Sequence, residues 1–247
     1  MKKRRRKGDH RPATPAPKKP RFSRDIVVLY EDDALLAINK PAGLLAVPVE
    51  GSDAPSAWSL LSAKLKSKRQ RAFVVHRIDR FTSGVMLFAK TEADRDALVR
   101  QFLSHAPVRE YQAVVRGRPK EQRGTLVHYL RREGIFQIVT KQSDTRSARA
   151  ELKYSVERDL RAASLLRVTL VTGLQNQIRV QFSAIGNPVI GDRKYCPTES
   201  IEHHIARVAL HASHIEFLHP RSGESIAIDC QPPSDFQSLV RVLRLQR

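Results

Sequence analysis

Apolar residues first cluster at positions 26–30 and 34–38, two short runs around the polar turn Glu31-Asp32-Asp33. Runs of this length about a turn predict two strands. Lys40-Pro41-Ala42-Gly43 breaks the pattern. Residues 55–67 then predict a helix, with Trp58, Leu61 and Leu65 at roughly helical spacing. Positions 74–75 and 85–89 predict buried strands on either side of a polar loop, 76–84. Thr91 followed by Asp94 resembles a capping box and predicts a helix over 92–105, with Ala97, Leu98 and Phe102 on its apolar face. Further strands are predicted over 111–115, 150–154 and 165–171. A helix over 176–185 carries Ile178, Phe182 and Ile185 at spacings of four and three, and Gly186 suits its end. Strands over 206–211 and 226–229 and a closing helix over 234–244 complete the pattern. Strands at hairpin-like spacing with few helices predict an α+β fold with a mainly antiparallel sheet.

Composition adds a partner to this picture. Of 247 residues, 41% are hydrophobic, enough for a real core, yet the net charge is +19. Such a surplus suits a phosphate backbone, because lysines and arginines that neutralise phosphates release condensed counterions. An anionic membrane surface is the competing explanation. No apolar run approaches the roughly 18 residues of a spanning helix, and the amino terminus lacks an apolar signal-like core. RNA or DNA is therefore the expected partner, and no membrane. Residues 1–24 carry eleven lysines and arginines against Asp9 alone, with prolines at 12, 15, 17 and 20. Residues 1–25 are expected to be a disordered basic arm for nucleic acid; a nuclear address or a solubility tail is the plainer alternative. Residues 26–247 then form the folded domain. Cys196 and Cys230 stand alone, so neither a zinc knuckle nor a disulfide framework is expected. Five histidines, at 203, 204, 211, 214 and 219, invite a metal site. No acid or cysteine is suitably spaced among them, so no metal is expected.

The loop Val75-His76-Arg77-Ile78-Asp79-Arg80-Phe81-Thr82-Ser83-Gly84 holds the densest chemistry. It places one acid among two arginines, a histidine and two hydroxyls. Positive charge from Arg77 and Arg80 should keep Asp79 ionised. An ionised carboxylate is a competent nucleophile towards an anomeric carbon or an electron-poor ring. A salt-bridged aspartate that only fixes the turn is the structural alternative. Thr82 and Ser83 suit either a phosphate or the turn backbone. Protein kinases share the His-Arg-x-Asp run. Here the glycine-rich phosphate loop, the downstream Asp-Phe-Gly and the following asparagine are all missing.

The run 76–84 resembles the His-Arg-Leu-Asp-x-x-Thr-Ser-Gly motif of RluA-type pseudouridine synthases. The resemblance extends over roughly residues 26–235. Asn39-Lys40-Pro41-Ala42-Gly43-Leu44-Leu45, Gln101-Phe102, Arg109-Glu110-Tyr111 and Gln177-Ile178-Arg179-Val180 follow in the family order. So do Gly186-Asn187-Pro188-Val189-Ile190-Gly191-Asp192, Leu210-His211-Ala212 and His219-Pro220.

The resemblance implies the pseudouridine synthase fold, a mixed, mainly antiparallel sheet flanked by a few helices, with an active-site cleft across it. It implies a cofactor-free isomerisation of uridine to pseudouridine, in which a flipped uridine meets Asp79. Attack at ribose C1′ and at ring C6 both remain open. Tyr111 matches the tyrosine that stacks on the uracil and can take part in proton removal from C5. Arg179 matches the basic partner of the aspartate. Arg77 and Arg80 are expected to contact RNA, as is Thr82, and Ile178 to pack on the base. Arg77 is equally suited to bracing the loop, and Ile178 to the helical core. The expected substrate is a stem-loop of ribosomal or transfer RNA, and the expected actor a cytoplasmic monomer. A non-catalytic RNA-binding or RNA-folding protein on the same scaffold is the alternative.

Two departures stand out. The family often carries Thr-Gly-Arg-x-His where this chain has Thr172-Gly173-Leu174-Gln175-Asn176. Leu174 and Asn176 occupy positions expected to face RNA or the loop. Arg109 replaces a usual lysine, with charge kept. Residues 1–25 are too short for the S4-type RNA-binding domain that many members carry.

Overall fold

A computed structural model of the chain describes residues 23–196 and 205–245. Most of the basic arm, together with His203 and His204, lies outside the described residues. Four helices and eleven strands are described: β1 (Val27–Glu31), β2 (Leu35–Lys40), α1 (Ala57–Lys66), β3 (Phe73–Val74), β4 (Ser83–Ala89) and α2 (Glu92–Leu103) come first. Next are β5 (Val108–Arg116), β6 (Arg123–Glu133), β7 (Phe136–Thr140), β8 (Ala148–Asp159) and β9 (Ala163–Leu170). Then follow α3 (Gln177–Ala184), β10 (Leu210–Leu218), β11 (Ser225–Asp229) and α4 (Ser234–Leu245).

The strands form one mixed sheet in the order β1-β2-β4-β10-β5-β9-β8-β6-β7, with β3 added to β4 and β11 to β10. The pairing of β4 with β10 is parallel and the others are antiparallel, as the α+β reading expects. The continuous apolar runs of β2 and β4 are explained by cover on both faces. Leu36, Ile38, Met86 and Phe88 pack under α1 through Leu61 and Leu65. The alternate residues Leu35, Ala37, Val85, Leu87 and Ala89 pack with Leu98 of α2 and with Ile215 and Phe217 of β10. The α1 cap is a reciprocal Ser56–Ser59 box, and Thr91 caps α2 by accepting from the Asp94 amide.

β4 and β10 meet at only two positions, Ser83 with His211 and Gly84 with Ala212. Beyond them the sheet forks, because β4 continues with β3 and β10 continues with β11. The loop joining β3 to β4 enters β4 at this fork. Gly84 has φ +116, and a Cβ there would lie 2.1 Å from the Ala212 carbonyl oxygen. Ser83 Oγ lies 2.9 Å from His211 Nδ1, and His211 Nε2 lies 2.9 Å from the Cys230 carbonyl oxygen. A carbonyl only accepts, so Nε2 carries the proton and Nδ1 accepts from the Ser83 hydroxyl. Burial keeps this imidazole neutral by pulling its pKa down to about 4.

Three sequence expectations need correction. The strand expected over 206–211 begins only at Leu210, because residues 207–209 pass close to the Gly191 backbone instead. Arg207 is buried there, bonded to Asp235 of α4 and to the Val208 and Leu210 carbonyls. The hairpin of β6 and β7 had no counterpart in the pattern. Its turn holds Gly134 at φ +56, but β6 runs into the charged Arg131-Arg132-Glu133 and the five-residue β7 has no fully buried position, so no strong apolar run marks the pair. Ile185 is not on the buried face of α3; it is the C-cap and is 37% exposed.

Replacing Gly84 by alanine forces Cβ into the Ala212 carbonyl and should open the fork. We expect Gly84→Ala to cost roughly 3 kcal/mol or more, measured by urea unfolding. A variant as stable as the parent would show that the strands can part without penalty.

Candidate active site

The loop that enters β4 lines a cleft of about 610 Å³ together with β5, the turn before α3 and the first turn of α3. The structure brings Asp79, Arg77, Arg80, Thr82, Tyr111, Ile178 and Arg179 into this one cleft. Their distance in sequence is closed by the sheet, since β5 lies two strands from β4.

The loop is held from below by the early Asn-Lys-Pro segment. Lys40 is fully buried and donates to the carbonyls of Pro41 (3.0 Å), Leu44 (2.9 Å) and Arg80 (3.2 Å). The Gly43 amide donates to the same Arg80 carbonyl at 2.8 Å, and Arg80 Nε returns a bond to the Gly43 carbonyl at 2.9 Å. Burial pushes the Lys40 ammonium down to about 7, and the Asp79 charge opposes that push. The Thr82 amide closes the turn on the Asp79 carbonyl at 3.1 Å.

Asp79 is half-buried, and both of its side-chain hydrogen bonds among the described residues end on Oδ2. Arg179 Nη1 donates at 2.9 Å and Asn176 Nδ2 at 2.6 Å. Oδ1 is left without a protein donor among the described residues. The far side of the Arg179 guanidinium is clasped by Asp192, with Nε–Oδ2 and Nη2–Oδ1 both 2.7 Å. Asp192 is completely buried and also accepts from the Lys194 and Tyr195 amides. Burial works against the Arg179 charge, but the Asp192 bonds, reinforced by Asp79, more than offset it and hold the guanidinium firmly protonated.

This differs from the sequence expectation in one respect. Neither Arg77 nor Arg80 pairs with Asp79; the cation beside it is Arg179, one hundred residues away, the partner that the family resemblance implied. Arg77 is exposed and makes no hydrogen bond or ion pair among the described residues. Arg80 braces the loop through Gly43.

Tyr111 forms a wall of the cleft from β5, and burial raises its phenol to about 12. Its hydroxyl therefore stays protonated at neutral pH. Ile178 and Thr82 are buried in the same wall, and the Thr82 hydroxyl has no hydrogen-bond partner among the described residues. Ser83 is taken up by His211 and is not available to a ligand. Arg109 is buried beneath the cleft, 5.8 Å from the Phe102 ring centre, with Nε unpaired.

The altered turn before α3 divides in two. Leu174 packs against the apolar cluster of Leu130, Ala150 and Val180. Asn176 faces the loop. Sequence reasoning missed Lys40, Asp192, Lys194 and Tyr195 as parts of the site. Lys40 and Asp192 lay within quoted motifs, but nothing in their spacing pointed at Asp79. Of the described histidines in that set, His214 is held by Asp229, and His219 by Asp32 and the backbone of 221 and 222.

Residues 34–184 match the family model of RNA pseudouridylate synthase. The chain belongs to this family. Its RluA-type character is carried by curated relatives. Ribosomal large subunit pseudouridine synthase D of Zymomonas mobilis is 34% identical over 88% of this chain and 73% of its own length. The protein of the same name from Xanthomonas campestris is 37% identical over 88% of this chain and 69% of its own. The pseudouridine synthase fold is also seen in human RNA Pseudouridylate Synthase Domain Containing 4. It superposes with a TM-score of 0.72 at 23% identity, covering 89% of this chain and 94% of that one. No helix among the described residues is long and apolar enough to cross a membrane.

The Arg179–Asp192 pair in this pseudouridine synthase carries its own consequence. Removing the Asp192 charge leaves the buried guanidinium with the half-buried Asp79 as its one remaining carboxylate partner among the described residues. We expect Asp192→Asn to cost about 3 kcal/mol in urea unfolding at neutral pH. A cost below about 1 kcal/mol would mean that the pair is no more than a surface contact.

Proposed function

We propose that this protein isomerises uridines of ribosomal RNA to pseudouridine, with Asp79 as the nucleophile. The observation that carries the reading is the Asp79 carboxylate in the cleft. It is held on one oxygen by Arg179 and Asn176, and its other oxygen has no donor among the described residues. Family membership supports the reaction. The relatives named for the large ribosomal subunit support the substrate, and the net charge of +19 suits a phosphate backbone. Within this reading the enzyme works as a cytoplasmic monomer on a structured stem-loop.

The target base leaves its stack and enters the cleft. Tyr111 and Ile178 offer it flat and apolar contact, and stacking on an aromatic side chain contributes about 1–3 kcal/mol per base. Arg77, exposed and without a partner among the described residues, is placed for a phosphate or for the gap left by the base. Asp79 Oδ1 attacks C1′ or C6, and the bond from C1′ to N1 breaks. The uracil turns, a bond forms from C1′ to C5, and the bond between Asp79 Oδ1 and the substrate breaks, returning the carboxylate. The proton lost from C5 is balanced by one gained at N1, so the reaction needs no external oxidant or reductant. Because the Tyr111 phenol is protonated in the resting site, stacking is its first role. Accepting the C5 proton would require it to pass its own on.

The test is single-turnover pseudouridine formation on ribosomal RNA transcripts by the parent and by Asp79→Asn. The variant should fold, bind RNA and lose about a thousandfold or more in rate. Pseudouridine formation undiminished in Asp79→Asn would overturn the assignment. RNA-folding activity that survives the substitution, with no pseudouridine from the parent, would favour a non-catalytic RNA-folding protein.

A further inference from the structure

We propose that Asn176, held by Lys194, is a positioning residue that fixes the rotation of the Asp79 carboxylate. The inference rests on Asp79 being the nucleophile and goes beyond it by assigning what aims that nucleophile.

A carboxylate held by one donor can pivot about that bond. Asp79 Oδ2 takes two, Arg179 Nη1 at 2.9 Å from within α3 and Asn176 Nδ2 at 2.6 Å from the residue before it. Two donors on one oxygen restrict the pivot and leave Oδ1 as the oxygen without a donor among the described residues. Asn176 sits at φ 55, ψ 18, and its side chain makes no capping bond to α3. Asparagine is one of the few residues other than glycine that adopts this left-handed conformation readily. The conformation turns the amide away from the helix end it would otherwise cap.

The direction of the amide is set from its other end. Its Oδ1 accepts from Lys194 Nζ at 2.9 Å and from Tyr195 Oη at 3.4 Å. An ammonium only donates, so it selects the amide oxygen and leaves the NH₂ group for Asp79. The Lys194 ammonium is itself fixed by the Ile135 carbonyl in the turn of the β6–β7 hairpin. It lies 5.1 Å from the Phe136 ring centre and 5.2 Å from that of Tyr195. The result is an alternating series: Lys194 cation, Asn176 amide, Asp79 anion, Arg179 cation, Asp192 anion. The Asp79 charge also reaches Lys40 from β2 and the neutral phenols of Tyr111 from β5 and Tyr195.

The test compares the full-length parent with Asn176→Gly, Asn176→His, Asn176→Asp, Lys194→Ala and Asp79→Asn. Each is assayed for single-turnover rate across pH and for RNA affinity. Glycine keeps the left-handed backbone at no cost and removes only the amide. The chemical step should slow about ten- to a hundredfold with RNA affinity unchanged. Histidine tolerates the same backbone and returns an N–H donor, so it should recover most of the rate. Aspartate sets a second carboxylate against Oδ2, which disfavours ionisation; the acid limb of its rate profile should move to higher pH. Lys194→Ala should slow the chemical step in the same direction as glycine.

A glycine variant at the parental rate, beside an inactive Asp79→Asn, overturns the positioning role while leaving the nucleophile standing. So does a slow glycine variant with no rescue by histidine and no displaced acid limb with aspartate, because that pattern describes a merely structural residue. Full activity in Asp79→Asn removes the nucleophile reading, and this inference with it.

Discussion

The Arg179 guanidinium lies between two carboxylates, and its burial is tolerable only because both sides of its planar fork are used. Stripping water from an ion costs several kcal/mol even after relaxation. Asp192, wholly buried, meets two of its nitrogens at 2.7 Å, and Asp79 meets a third at 2.9 Å. The planar, delocalised cation can do this where an ammonium cannot. The two bonds to Asp192 fix the plane of the guanidinium, and the remaining nitrogen then fixes where Asp79 must be. Other features of the site serve this geometry. Gln177 accepts from Thr172 and Leu174 and donates to the Glu151 carbonyl, pinning the start of α3. Lys40 and Gly43 converge on the Arg80 carbonyl, so the loop bearing Asp79 approaches from a defined direction.

The sheet supplies the space in which this happens. β4 and β10 touch at two residue pairs and then part. The loop enters β4 at that fork rather than inside a continuous ladder. Gly84 is needed because the two backbones come too close for any side chain. The neutral His211 ties Ser83 to the Cys230 carbonyl across the same point. A loop entering at a strand fork can expose a carboxylate while its own backbone bonds remain satisfied on both sides.

Much of this was legible in the chain, and the rest was hidden for identifiable reasons. The runs over 34–38 and 85–89 are apolar at every position because both faces of β2 and β4 are covered. Their length and flanking turns still marked them as strands. The loop at 76–84 announced itself by crowding unlike charges and hydroxyls between apolar segments. Its nearest charges in sequence were misleading, since backbone direction and not adjacency decides which cation meets Asp79. Asp192 and Lys194 were not legible as partners, because their contacts to Arg179 and Asn176 run between the start of α3 and the loop that follows it and no periodicity marks them. The β6–β7 hairpin escaped notice because β6 ends in charged residues and β7 is short with no fully buried position, although Gly134 in its turn was a clue. Asn176 shows the reverse case. The departure from the family motif places an amide against Asp79.

The central claim is that one rigid guanidinium, anchored by Asp192, holds Asp79 in register with the cleft. Arg179→Lys preserves the charge and removes the fork. The decisive quantity is the single-turnover rate of pseudouridine formation by this variant on a ribosomal RNA transcript, with folding and RNA affinity checked alongside. The account predicts a folded, RNA-binding protein whose chemical step is slowed about a hundredfold or more. A lysine variant that turns over at close to the parental rate would contradict it, because charge alone would then suffice.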